Sequence, residues 1–245
     1  MSRGTVTALL LMTCACGPVA ADDGGLELAP AVYPELATHA PTADAFVPSG
    51  WRLESTTAGD LNGDLRSDAV LVLREDDPDG VVDGRPQGGP ERYDTNPRVV
   101  AVLLADAGGG YDLALENHTL VARTTDPSQQ DPLDPDGIQS GEIAIVNGTL
   151  RITLGYFGGD MGHITYTFRY QHGGFELIGY DRVNVIRGSG AIRQVSIDYS
   201  TRSVERRDGN ISNDADQVTR TRLPDAPLPT MEQVGDGLEF LPLPE

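Results

Sequence analysis

The sequence predicts an all-β fold, an antiparallel meander forming one sandwich-like or incomplete propeller-like domain. Three observations lead there. Between Trp51 and Arg207 short apolar or alternating runs recur, separated by Gly, Asn and Asp; no amphipathic stretch is long enough for a helix; and a chain of 245 residues carries 29 Gly and 17 Pro, with apolar residues at 39%. That apolar share suffices for a sizeable core, and the absence of long apolar stretches past the N-terminus excludes a membrane bundle.

Ala69-Val70-Leu71-Val72-Leu73 and Val99-Val100-Ala101-Val102-Leu103-Leu104 are continuous apolar runs rich in β-branched residues, the pattern of central strands covered on both faces. Ile143–Val146 and Leu150–Leu154 flank Asn147-Gly148, a dipeptide that tolerates the positive φ angles of a two-residue hairpin turn. Ile164, Tyr166, Phe168 and Tyr170 alternate with Thr165, Thr167, Arg169 and Gln171, so one face of that strand is core and the other wet. Gly173-Gly174 turns the chain into Phe175–Tyr180, and Val195–Tyr199 and Ser203–Arg207 form a last pair about Ser200–Arg202.

Three segments lack this patterning. Residues 22–45 are expected to be a linker with one short helix near Pro34–His39, ahead of a β domain at 46–210. Glu75–Asn96, with seven acids and two Arg, and Thr124–Gly141, with repeated Asp-Pro, are expected to be solvated loops. Residues 211–245 are expected to be an acidic Pro-rich tail, extended and largely disordered from Leu223.

Residues 1–21 have the form of an export signal: Arg3, an apolar segment from Thr5 to Thr13, then small residues. The segment is too short to span a bilayer, so no transmembrane segment is expected after its removal. Two processing routes fit. Val19-Ala20-Ala21 suits a general signal peptidase, while Leu11–Gly17 is similar to a bacterial lipobox with Cys16 as the acylated residue. The expected location is the bacterial periplasm, or the outer membrane and cell surface as a lipoprotein. Both cysteines, Cys14 and Cys16, lie in this segment, so an exported chain would have no disulfide and would rely on its core and on any bound metal.

The 18 basic residues are all Arg and face 37 acids, for a net charge of −19. Nucleic acid and anionic membranes need clustered cations and are excluded as partners; divalent cations suit the balance better. The motif that could hold one is Asp60-Leu61-Asn62-Gly63-Asp64-Leu65-Arg66-Ser67-Asp68, with oxygen side chains at loop positions 1, 3, 5 and 9 immediately before an apolar strand. Calcium takes six to eight hard oxygen ligands, and a peptide carbonyl near position 7, here Arg66, commonly supplies one. It is not an EF-hand, because Leu65 and Leu71 stand where Gly and a bidentate Glu belong.

Gly59-Asp60-Leu61-Asn62-Gly63-Asp64 with Asp68 resembles the FG-GAP or VCBS-type repeat, whose DxNxDxxxD loop binds calcium. With Pro48-Ser49-Gly50-Trp51, Phe168-Arg169-Tyr170 and Leu177–Asp181, the region from about 45 to 205 is similar to a group of uncharacterised exported bacterial proteins carrying one such loop. The resemblance implies calcium ligation by Asp60, Asn62, Asp64, the Arg66 carbonyl and Asp68, and implies no catalysis. Family loops usually carry Gly at the position of Leu65, and a left-handed Leu there would cost roughly 1–2 kcal/mol. Asp208–Asp216 is a weaker second copy with no apolar strand after it.

The function expected is therefore non-enzymatic: an exported β-protein with a structural calcium loop and a binding or envelope-associated role, its protein or carbohydrate partner undetermined. The alternative is a carbohydrate-active enzyme or sugar-binding module built on Gly155–His163, through Tyr156, Phe157, Asp160 and His163. The other histidines sit outside any HExxH-like spacing, and His163 and His172, nine residues apart on one strand, are roughly 30 Å from each other.

Overall fold

The computed structural model describes residues 28–83, 92–126 and 128–243. The expected export signal, with Cys14 and Cys16, lies outside the described residues. Strand makes up 51% of the described residues and helix 5%, and the sheets are antiparallel without barrel closure, so the fold is all-β and sandwich-like.

Five strands form the first sheet in the order β1 (His39–Ala40), β7 (Tyr111–Asn117), β6 (Arg98–Ala105), β3 (Asp68–Glu75), β2 (Trp51–Gly59). The two apolar runs singled out in the sequence are its centre, pairing antiparallel from Ala69↔Leu103 to Arg74↔Arg98. Both faces of this pair are buried, which explains their unbroken hydrophobicity. Val70, Val100 and Val102 face the second sheet, whereas Leu71, Leu73, Val99, Ala101 and Leu103 face a smaller core closed by Leu36, Ala40 and Phe46. Residues 28–45 are thus packed structure rather than a linker. No helix forms at Pro34–His39; that stretch is irregular up to the start of β1, and Leu36 and Ala40 supply the lid that the outer face of the first sheet needs.

The second sheet is a seven-stranded meander running in chain order from β8 (Glu142–Val146) through β9 (Thr149–Phe157), β10 (Asp160–Gln171), β11 (Gly174–Ile186), β12 (Ala191–Asp198) and β13 (Ser203–Asn210) to β14 (Asn213–Arg222). Asn147 and Gly148 take φ angles of 51° and 73°, as the β8–β9 hairpin requires. The next turn is centred on His172-Gly173, one residue earlier than expected, and Gly174 already belongs to β11. Ile164, Tyr166 and Phe168 are buried in the inter-sheet core as their alternation foretold.

The tail departs most from expectation. β14 extends the meander, a short helix α1 (Met231–Val234) buries Met231 and Val234, and Leu223, Leu228, Leu238 and Phe240 pack on the same core. Tyr166 donates to the Gly237 carbonyl, and the Leu177 N–H to that of Pro229. Acidity masked an apolar residue every few positions, enough to seal the open end of the second sheet.

The two expected loops are likewise structured where described. The ribbon β4 (Val81–Asp83) and β5 (Arg92–Asp94) lies within the first, and the second delivers Asp131 to a buried ion network. Arg74 and Arg98, opposite each other on β3 and β6, would repel unless neutralised. The shift in the β2 register between Leu53 and Ser55 leaves Glu54 as a bulged residue whose carboxylate accepts from Arg74 at 3.0 Å and from Arg98 at 2.9 Å. Asp131 accepts from the same two side chains at 3.3 and 2.7 Å.

Candidate functional site

The Asp60 loop joins β2 to β3 at the sheet end opposite this network. It is rooted at two points: Leu61 is buried in the inter-sheet core, and Asp68, fully buried as the first residue of β3, accepts from Leu61 N at 2.7 Å and from Ala105 N at 2.9 Å. Gly59 permits this close docking, since a Cβ there would meet Ile145 of β8 at 2.8 Å.

Between these roots the chain curls around its own side chains. Asp60 Oδ1 accepts from Gly63 N at 2.7 Å and Oδ2 from Leu65 N at 3.0 Å; Asn62 Oδ1 accepts from Asp64 N at 3.0 Å; Asp64 Oδ1 accepts from Arg66 N at 2.9 Å. These are the Asx turns that alternate Asp and Asn residues favour. The Arg66 guanidinium grips Asp64 Oδ2 and donates from Nε to the Ala105 carbonyl at 2.9 Å. The Arg66 N–H bond, with the Asn62 amide and the guanidinium charge, holds the half-buried Asp64 carboxyl below its ordinary range. Leu65 has φ 69° and is 93% exposed, so the left-handed strain anticipated for a non-glycine residue is present.

Asp60, Asn62, Asp64 and Asp68 therefore share one small loop with the Arg66 backbone, all hard-oxygen donors. Each oxygen of Asp60 and Asp68 takes one backbone bond, whereas Asp64 Oδ2 takes the Asn62 amide and the Arg66 guanidinium; the donor types suit calcium, but the three carboxylates do not all lie within 4.8 Å of one another. The competing cation is the Arg66 side chain. The Asp208–Asp216 stretch instead forms the β13–β14 hairpin, where Asn210 Oδ1 caps Ser212 N at 3.0 Å.

The Gly155–His163 cluster divides. Asp160 and His163 are three residues apart on β10 and face opposite sides of the sheet; Asp160 accepts from Asn184 Nδ2 at 3.2 Å, while His163 stands on the wet face with Thr165. Tyr156 donates to Asn184 Oδ1 at 2.8 Å, with the Arg182 guanidinium 5.7 Å from its ring, and the Arg187 guanidinium lies 4.6 Å over the Phe157 ring. The four side chains form no acid–base pair, and arginines occupy the aromatic faces that a sugar would stack on.

One group was missed in the sequence. Among the described residues, His39, Asp106 and Asp112 alone form a set of three or more His, Cys, Asp or Glu whose ligating atoms all lie within 4.8 Å of one another. Only the β1–β7 register brings them together, and no sequence spacing signals it. Also among the described residues, no helix is long and apolar enough to cross a membrane.

The fold and these sites define an antiparallel β-sandwich carrying oxygen-rich loops at one end of its first sheet. No family model, curated protein or solved structure matches the chain.

Proposed function

We propose that this is an exported β-sandwich that works by binding, in the periplasm or on the cell envelope, and that calcium stabilises its Asp60–Asp68 loop. The observation that carries the calcium reading is the gathering of Asp60, Asn62 and Asp64 in an exposed loop whose two ends are fixed by buried Leu61 and Asp68. A cation there would neutralise carboxylates that otherwise repel, and would use the Arg66 carbonyl while displacing its guanidinium from Asp64. The binding role is supported by the divided Tyr156–His163 cluster, which lacks the geometry for general acid–base work.

The test is calorimetric unfolding of the protein with excess calcium and with chelator. A ligand bound only by the folded state adds about 2.7 kcal/mol at a hundredfold excess over its Kd. The rise should vanish in Asp64→Ala, whereas Arg66→Ala, which keeps the carbonyl and removes the competing cation, should bind calcium more tightly. Identical unfolding in calcium and chelator would overturn the calcium reading.

A further inference from the structure

We propose that His39, Asp106 and Asp112 form a second, separate metal site, one suited to a zinc-like divalent ion. The three ligands come from β1, from the β6–β7 turn and from β7, at the exposed edge of the first sheet. His39 lies directly opposite Asp112 in the β1–β7 register. Its Nδ1 is 2.9 Å from Asp112 Oδ1 and 3.5 Å from Asp106 Oδ2. A tetrahedral ion with ligand bonds of about 2.0–2.2 Å separates its ligand atoms by roughly 3.3–3.6 Å; the two His39 distances lie within about half an ångström of that range, and all three ligand atoms lie within 4.8 Å of one another.

Asp106 is already aimed. Its Oδ1 accepts from Gly108 N and from Gly110 N at 3.2 Å, and Oδ2 is left turned toward His39. Gly110 makes room for that approach: a Cβ there would meet Asp106 Oδ2 at 2.9 Å, the Ala40 carbonyl at 2.9 Å and His39 Cε1 at 3.1 Å. The glycine run Gly108-Gly109-Gly110 thus forms a cradle that admits an imidazole beside two carboxylates.

Donor chemistry separates this site from the Asp60 loop. Imidazole selects Zn²⁺, Ni²⁺ or Cu²⁺ over calcium, and two carboxylates would neutralise the ion. His39 and Asp112 are 55% and 65% exposed at their side chains, so entry is open and coordination positions remain for water. The consequence is mechanical: β1 is two residues long, and a metal across His39 and Asp112 would clip residues 28–40, the lid over the outer core, to the sheet edge.

The experiment is titration of the protein with Zn²⁺ by calorimetry, and with Co²⁺ by visible absorption as a reporter of nitrogen–oxygen coordination. One ion per chain is expected, with binding weakened at least about tenfold by His39→Ala and by Asp112→Asn and unchanged in His118→Ala and Asp64→Ala. Zinc should raise the melting temperature of the unsubstituted protein and not that of His39→Ala, and excess calcium should not compete. Absence of zinc binding, or binding that survives His39→Ala, overturns the proposal; so does loss in His118→Ala, which would place the ion elsewhere. His39 is exposed at an edge, so its substitution leaves the fold available for the comparison.

Discussion

The same two strands, β3 and β6, end in charged clusters of opposite kind. At one end Asp68 and Ala105 hold an exposed loop whose carboxylates bond to their own backbone; at the other, Arg74 and Arg98 are buried and neutralised by Glu54 and Asp131. Burial decides what each cluster can do. Charges out of water must be matched side chain by side chain, so the inner cluster is committed to holding β2, β3, β6 and the 131 loop together. In the outer loop the Arg66 side chain is 44% exposed and Asp64 is only partly buried, so a cation can replace Arg66 at little cost.

Breaking the inner cluster should give the largest effect. Arg98→Met leaves Glu54 and Asp131 sharing Arg74 alone, and an uncompensated buried charge costs about 3–5 kcal/mol. Denaturant unfolding should therefore show a loss of about 3 kcal/mol or more. Arg66→Ala in the exposed loop should change stability without calcium by less than about 1 kcal/mol. Comparable losses in the two variants would remove the distinction.

Acid should separate the clusters next. Burial alone would raise the carboxyls of Glu54 and Asp131, but hydrogen bonds and charge from Arg98 and Arg74 outweigh it and hold both below their ordinary values. A carboxyl depressed on folding contributes stability above its unfolded pKa and loses it as pH falls through the folded value. Stability measured against pH should fall below about pH 4, and Arg98→Met should flatten that acid limb because its carboxyls are no longer held down. An unchanged acid limb in the variant would show that other groups govern acid unfolding.

What the sequence disclosed follows the same division. Local signals carried the central strands, the Asn147-Gly148 hairpin and the β8–β13 meander, because apolar runs and strict alternation state burial directly. They failed where partners are distant. Asp131 sits in an Asp-Pro loop that looks solvated, and its counter-charges lie 57 and 33 residues away. Glu54 faces inward only because a bulge breaks the period of two. Residues 28–45 and the tail lack periodicity, yet Leu36, Met231, Val234 and Phe240 close the two cores. The Asp60 loop was legible as a motif, together with the strain at Leu65; its internal Asx bonding follows from the same residues. The His39 group was illegible because it depends on the register of a two-residue strand.

The smallest effect sharpens the comparison from the loop side. Leu65 is left-handed and exposed and belongs to neither core, so its Cβ strains the backbone without a compensating contact. Leu65→Gly relieves roughly 1–2 kcal/mol of strain and returns part of it through the greater freedom of glycine in the unfolded chain, leaving a gain of about 0.5–1 kcal/mol. The gain should appear in chelator, because the strain belongs to the loop itself. A further calcium-dependent gain in this variant would mean that the same strain also limits metal binding, whereas a loss of stability would show that the Leu65 side chain contributes more to the loop than its exposure allows.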